Sequence, residues 1–376
     1  MYYSFPLLSI PMAEEFGVSK PQVYLAATIG LLVSSVASYF VGAAIDRGHG
    51  RAIMTFGSAF GGALLVLWSD VQSLYGLYAI FLGVGLALSM TLYEPGFAVI
   101  ARRFGSDSRR GITRLTLWGG FASTVFIPLT QWLIDVGGWR HALIALGVIN
   151  IVVGASLHFA VIDKFKDRAR TEDETLASTQ RPVRWAMTQP IFWGLLGAFT
   201  VYYVVFGAMT FHLYPLLLER GFDTGSVVAA IACIGPAQVA GRIAVAALAK
   251  DRPIRVVGMG AVLVLPIAIV LFNMIPVDFR ALAIVAVLWG ATNGIVTIVR
   301  GNAVPEMLTS NAYGAINGAI TAPVTMAIAL APVCAAALWA QTGSYQAVIW
   351  VAFALGLVVV GCFWFAALQS VRGGAK

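Results

Sequence analysis

Four ionisable side chains interrupt otherwise apolar stretches of the sequence: Glu94, His212, Arg242 and Arg300. Charged groups are costly inside a membrane, so residues of this kind are candidates for binding a solute or carrying a proton. Arg242 lies nine residues before Asp251, which is roughly 13 Å along a helix at about 1.5 Å per residue. A guanidinium at that depth is a candidate anion-binding group, with Gln238 one helical turn away on the same face.

The other three ionisable residues each have two interpretations. Glu94, eight residues before Arg102, is a candidate carrier of a coupling proton, but a structural pairing with Arg300 or a nearby arginine is favoured. Arg300 fits an inner gate as well as a substrate site. Histidine changes charge near neutral pH, yet His212 is favoured as an interfacial residue near a helix end.

The composition is that of a polytopic helical membrane protein, with 59% hydrophobic and 11% charged residues. Two runs, 23–45 and 281–299, are long enough to cross a bilayer and carry no charge. The net charge of +7 is more typical of basic loops facing lipid than of nucleic-acid binding. No phosphate-binding loop, catalytic triad or metal-ligand spacing occurs in the sequence, which predicts no enzyme, no cofactor and no metal site.

Charged loops and Gly/Pro breaks divide the chain into eleven apolar spans and a short apolar segment at the start. The sequence predicts an N-terminal six-helix bundle at 1–162 with an incomplete first helix, a central loop at 163–187, and a C-terminal six-helix bundle at 188–376. The halves align with each other: Gly17 lies opposite Gly221 at an offset of 204, and Asp46 opposite Asp251 at 205. Carried backwards, this repeat places the expected start of the first helix about 15 residues before Met1, which predicts a truncated first helix.

The distribution of basic residues predicts the orientation in the membrane. Of the 24 Lys and Arg residues, 19 fall on one side of the predicted spans and four on the other. Basic loops face the cytoplasm. We therefore expect a multi-pass protein of the inner (plasma) membrane with both termini cytoplasmic in the full-length form.

The residues GAAIDRGHGR at 42–51 fit the pattern GxxxDRxGxR. The chain resembles the major facilitator superfamily, in which this loop joins helices 2 and 3. The resemblance implies twelve helices in two pseudo-symmetric bundles. Asp46 is expected to face the N-terminus of a neighbouring helix, and Arg47 and Arg51 to mark the cytoplasmic face. In the second half, Asp251 keeps its place in a degenerate copy of the loop.

The stretch GPAQVAGRIAVAAL at 235–248 resembles the monocarboxylate transporter and oxalate:formate antiporter branch of that superfamily. In that branch an Asp lies four residues before a substrate-binding Arg. Arg242 matches the Arg, but Gln238 stands at the Asp position, which argues against a proton-linked Asp–Arg pair. Tyr203 and Tyr3 are candidate residues for the cavity wall.

The predicted function is secondary active transport of a small organic solute by alternating access. An organic anion such as a monocarboxylate is the favoured substrate, protons are a candidate coupling ion, and the predicted partners are the substrate and the bilayer, with the protein a monomer. Drug or metabolite efflux is the nearest alternative. A sensor on the same scaffold, or a truncated product without transport activity, is the alternative from another class.

The orientation can be tested with a reporter that is active only in the periplasm. Because the basic loops are expected to be cytoplasmic, a fusion at Gly373 should give no signal. A fusion beside Arg280, on the opposite side, supplies the positive reference. A strong signal from Gly373 would overturn the assignment.

Overall fold

The computed structural model describes residues 5–105, 108–163 and 182–373, and almost all of them are helical. Nine helical stretches within these ranges are long and apolar enough to cross a membrane. The prediction of an all-α membrane protein is therefore confirmed. The helices of the first half are α1 Phe5–Phe16, α2 Lys20–Ala44, α3 Gly50–Ser69, α4 Leu74–Thr91, α5 Tyr93–Phe104, α6 Ser108–Gly120, α7 Ala122–Ile149 and α8 Ser156–Val161.

The second half consists of longer, less interrupted helices. A short helix covers the end of the predicted central loop, and residues 164–181 of that loop lie outside the described ranges. These helices are α9 Pro182–Thr188, α10 Pro190–Glu219, α11 Thr224–Leu248, α12 Ile254–Met274, α13 Phe279–Met307, α14 Tyr313–Thr342 and α15 Tyr345–Gly373.

The contacts between these helices divide the chain into two units. Unit 1 contains residues 1–105, 118–182 and 311–322, and unit 2 contains residues 106–117, 183–310 and 323–376. Each unit therefore includes a short segment from the opposite half of the sequence. As a result, α6 and α14 are each shared between the two units.

The twelve-residue helix α1 is a packed part of unit 1 although it is too short to cross a bilayer. Leu8 and Met12 are fully buried, and the indole N–H of Trp68 lies 3.3 Å from the Met12 sulfur. The ring of Phe5 meets that of Phe81 edge to face, 5.2 Å between centroids. The apolar face of α1 thus packs against α3 and α4.

The same turn follows α1 in the first half and α10 in the second half. Gly17 and Gly221 both adopt positive φ, +63° and +91°, a conformation that favours glycine. Each glycine N–H donates to the carbonyl three residues back, and the next residue donates to the carbonyl five residues back. Such a Schellman turn ends a helix, and Ser19 and Asp223 then cap α2 and α11. The offset of 204 therefore holds for backbone conformation as well as for residue type.

A tryptophan–glutamate pair stands next to each of these turns. The Trp139 indole donates to Glu15 at 2.8 Å, and the Trp339 indole donates to Glu219 at 3.1 Å. In the first half, Arg140 also forms an ion pair with Glu15. The hydrogen bond from Arg140 is the main reason that the pKa of the Glu15 carboxyl is lowered.

Neighbouring helices approach so closely that glycine is required at their contacts. A Cβ on Gly85 would lie 2.2 Å from the carbonyl oxygen of Gly30, and one on Gly290 would lie 2.5 Å from that of Ile234. These two contacts join α2 to α4 and α11 to α13. The pair Gly30 and Ile234 is again offset by 204, whereas Gly85 and Gly290 are offset by 205.

Replacing Gly221 by Ala tests the turn. Because a Cβ is strained in this left-handed conformation, we expect a loss of about 1 kcal/mol of stability, seen as a lower unfolding midpoint in detergent. The matched control is Gly260→Ala, at a helical position with open space around the added methyl group. The control should be neutral or slightly stabilising, since Ala favours helix. Equal destabilisation by both changes would contradict the assigned role of the turn.

Candidate functional site

In unit 1, the carboxylate of Asp46 caps the N-terminus of α14. Its two oxygens accept hydrogen bonds from the backbone N–H groups of Gly314, at 2.9 Å, and Ala315, at 2.7 Å. The backbone allows this approach because Gly42 lies against Gly314, where a Cβ would come within 2.0 Å of the carbonyl oxygen. Asp46 thus faces a helix N-terminus, where a negative charge is stabilised. Its part in gating stays a prediction.

The basic residues around Asp46 have different environments. Arg102 donates to the backbone carbonyl of Asp46, and the guanidinium of Arg51 lies 3.9 Å from the ring centroid of Phe159. Arg47 is exposed. Arg102 therefore joins the end of α2 to α5. The sequence did not predict this contact.

Glu94 lies in the first turn of α5, just after Leu92, whose extended backbone interrupts the helix. Pro95 contributes to this break, because its nitrogen has no hydrogen to donate to the carbonyl of Thr91. The amide of Asn317, which is buried, donates to the Glu94 carboxylate. A cavity of about 10 Å³ borders both side chains, which is close to the space that one water molecule needs.

In unit 2, Arg242 is buried, with 5% of its surface exposed. Its Nη1 donates to the carbonyl of Thr116 at 3.0 Å. Its Nε has no hydrogen-bond partner, and no carboxylate pairs with it, among residues 5–105, 108–163 and 182–373. The charge of this guanidinium is therefore met only by a backbone dipole within those ranges.

Close contact between α11 and α13 fixes the position of Arg242. A Cβ on Gly241 would lie 2.3 Å from the carbonyl oxygen of Ala291, and one on Gly294 would lie 2.0 Å from that of Gln238. The Gln238 side chain is half-buried. The main chain of Gln238 is thus part of the helix contact, one turn before Arg242.

Arg300 on α13 lies over an aromatic residue of α10. Its guanidinium is 5.0 Å from the ring centroid of Tyr203, a cation–π distance. The adjacent Tyr202 is buried and donates to the amide oxygen of Asn293 at 3.2 Å. This hydrogen bond fixes the rotation of α10, so that Tyr203 lies under Arg300. Tyr3, the other predicted wall residue, lies outside the described residues.

His212 is held through both ring nitrogens. Nδ1 lies 2.9 Å from the Tyr345 hydroxyl, and Nε2 lies 2.9 Å from the carbonyl oxygen of Pro332. These contacts join α10 to α14 and α15 within unit 2. They favour the structural interpretation of His212 over a proton switch.

The second-half loop is built differently from the first. Asp251 is exposed, while Arg109 of α6 donates to the carbonyls of Ala249 and Arg252. Arg109 also forms an ion pair with Glu306 at 3.6 Å, and Glu306 accepts a hydrogen bond from the N–H of Ile254 at 3.0 Å. Arg109 and Glu306 thus supply polar contacts at this loop, and the part of Asp251 in gating stays a prediction.

Several residues of these sites escaped the sequence analysis because they are uncharged. Asn293, Asn317 and Thr116 each supply a hydrogen bond to a predicted residue or its neighbour. An amide in an apolar run is a detectable signal, since a buried polar group needs a partner. In the described ranges, no group of His, Cys, Asp or Glu could hold a metal ion.

Comparisons with known proteins agree on one family. The model of the Major Facilitator Superfamily matches residues 1–296. Monocarboxylate transporter 13 of Rattus norvegicus is 26% identical over 81% of this chain and 70% of its own length. The oxalate:formate antiporter of Oxalobacter formigenes is 24% identical over 52% of this chain and 47% of its own length. The human organic anion transporter MFSD10 (TETRAN) has a similar fold, with a TM-score of 0.67, 16% identity, and 96% and 90% of the two chains covered.

The Asp46 cap can be tested by hydrogen exchange. Asp46→Asn removes the charge and one acceptor, so the amides of Gly314 and Ala315 should exchange faster. A lost cap costs about 1 kcal/mol, which corresponds to roughly fivefold faster exchange from the open state. Asp251→Asn is the matched control, because that residue is exposed, and it should leave the exchange unchanged. Unchanged exchange of the Gly314 and Ala315 amides in Asp46→Asn would contradict the role of Asp46 as a helix cap.

Proposed function

The chain belongs to the major facilitator superfamily, whose members are membrane transporters and not enzymes, and we propose that it transports a small organic anion. The proposed substrate class is a monocarboxylate or similar carboxylate. The proposed mechanism is alternating access by two six-helix bundles, at 1–162 and 188–376, joined by a loop at 163–187. The proposed plan has twelve helices, six in each bundle.

Arg242 is the observation that carries the proposal. A buried guanidinium without a carboxylate partner is costly in a membrane protein, and polar groups at such positions usually serve a solute pathway. Its backbone partner, the carbonyl of Thr116, occupies part of its donor capacity, while Nε has no partner in the described ranges. A substrate carboxylate would supply the missing counter-charge through charge-assisted hydrogen bonds.

The names of three similar proteins support the same substrate class. A monocarboxylate transporter, an oxalate:formate antiporter and an organic anion transporter all act on organic anions by their names. Arg300 adds a second cation in unit 2, held over Tyr203. We assign Arg242 to substrate binding and Arg300 to the wall of the same pathway, with Gln238 and Tyr203 beside them.

Drug or metabolite efflux is the competing proposal. It is favoured if the only role of Arg242 is its hydrogen bond to the Thr116 carbonyl, because the arginine would then be a structural link between α6 and α11. A neutral or cationic ligand would agree with that role. Uptake measured with solutes of different charge distinguishes anion transport from efflux of another solute class.

Protons are the proposed coupling ion, and Glu94 is the proposed carrier. Gln238 on α11 stands where the related branch has an Asp, and it is not titratable. Glu94 is a carboxylate within a predicted span, half-buried, and hydrogen-bonded to Asn317. Glu94→Gln preserves an acceptor for Asn317 but cannot release a proton.

The proposed location is the inner (plasma) membrane, with the basic loops facing the cytoplasm. The proposed functional form is a monomer. The cytoplasmic face would then include Asp46, Arg47 and Arg51 in the first half and Asp251 in the second.

Uptake into proteoliposomes tests the substrate proposal. The labelled solutes are monocarboxylates, a dicarboxylate, an amine and a neutral sugar. Monocarboxylate uptake should fall on the order of tenfold in Arg242→Lys, because the planar fork is lost, equivalent to about 1.4 kcal/mol. Arg242→Ala should abolish it. A pH gradient should drive uptake in the parent protein but not in Glu94→Gln.

The matched control is Arg103→Lys, an identical change at an exposed arginine, which should leave uptake unchanged. Unchanged monocarboxylate uptake by folded Arg242→Ala protein would exclude the Arg242 site. Uptake of the amine or the sugar alone would exclude the anion proposal and favour efflux of another solute class.

A further inference from the structure

A groove on unit 1 lies where α2 ends, α3 begins and α4 ends. Its volume is about 430 Å³. Two basic residues, Arg47 and His49, line one part of it, and apolar residues line the rest, among them Ala44, Ala52, Phe56 and Met90. None of its lining residues is acidic. The groove is therefore cationic at one end and apolar along its floor.

The tight turn between α2 and α3 produces the cationic end. Gly48 adopts a positive φ of +87° within the turn Ile45–His49, which brings Arg47 and His49 to the surface on either side of it. Both side chains are exposed, and His49 Nδ1 lies 3.3 Å from the carbonyl oxygen of Ala44. The nearby carboxylate of Asp46 is directed to the backbone of α14 and does not line the groove.

The apolar floor runs away from this turn along α3. Phe56 lies six residues after Gly50, so its ring is roughly 9 Å deeper along the helix. Its side chain is 56% exposed and stacks on Phe60 with 5.5 Å between ring centroids. A ring so exposed at the depth of a membrane-spanning helix is a surface for acyl chains.

We propose that this groove binds one phospholipid with an anionic headgroup. The headgroup phosphate would contact Arg47 and His49, because a guanidinium matches phosphate oxygens in a planar, bidentate geometry. One acyl chain would lie over Ala52 and Phe56. The basic end and the apolar floor of the groove both match this ligand, since basic pockets at the polar ends of spans attract anionic lipid. The site is separate from the proposed anion pathway, and it requires only that the chain spans a bilayer.

The test is lipid binding by the full chain in detergent, measured by native mass spectrometry with phosphatidylglycerol as the probe and phosphatidylcholine as the reference lipid. We expect one phosphatidylglycerol bound at least fivefold more tightly than phosphatidylcholine. Arg47→Ala combined with His49→Ala should weaken phosphatidylglycerol binding about tenfold. Ala52→Trp should weaken it to a similar extent, because the indole fills the floor without changing the charge.

Arg103→Ala is the matched control, since it removes one exposed positive charge outside the groove, and it should change binding less than twofold. Equal weakening by Arg103→Ala would show general attraction to basic loops and overturn the site. Unaltered binding in Ala52→Trp, which serves as the independent variant if the double variant does not fold, would overturn it as well. Competition by glycerol phosphate as strong as that by the intact lipid would show an anion site and not a lipid site.

Discussion

Helices in a bilayer gain little by burying apolar side chains, because lipid tails are as apolar as leucine, and so they depend on close contact of their backbones. The glycines of α4 and α13 provide that contact, since a Cβ on Gly85, Gly290 or Gly294 would lie within 2.5 Å of a carbonyl oxygen of the neighbouring helix. Any larger residue must separate the helices. Gln238 lies directly at the contact of Gly294, and Arg242 follows Gly241, which contacts Ala291 in the same way.

Backbone groups also pair with several charged side chains at the ends of the described helices. Asp46 is met by two N–H groups of α14. Arg220 donates to the carbonyls of Phe272 and Ile275 at the end of α12, and Arg109 to those of Ala249 and Arg252. The unpaired carbonyls at a helix C-terminus carry partial negative charge and favour a cation. These three charged side chains thus stabilise helix ends, whereas the buried Arg242 lies inside α11 and has a single backbone partner in the described ranges.

The sequence predicted the helical membrane class, the superfamily and the direction in which Asp46 faces, because each depends on local periodicity or on a loop of fixed spacing. It did not predict the partners of the intramembrane residues. Asn317 lies 223 positions from Glu94, and Thr116 lies 126 positions from Arg242, and no local pattern links such pairs. The loop pattern also does not show that Asp251 is exposed, because it registers residue type and not the direction of the side chain; the part of Asp251 in gating stays a prediction.

The two internal offsets differ by one residue, and this difference has a geometric consequence. Gly30 of α2 and Ile234 of α11 are 204 residues apart, whereas Asp46 and Asp251, like Gly85 and Gly290, are 205 apart. The second half therefore has one extra residue before its loop, and one residue rotates a helix by about 100°. A rotation of that size is enough to change which neighbour a side chain faces. In the first half the carboxylate of Asp46 contacts the first turn of α14, whereas in the second half Arg109, in the first turn of α6, contacts the carbonyls of Ala249 and Arg252.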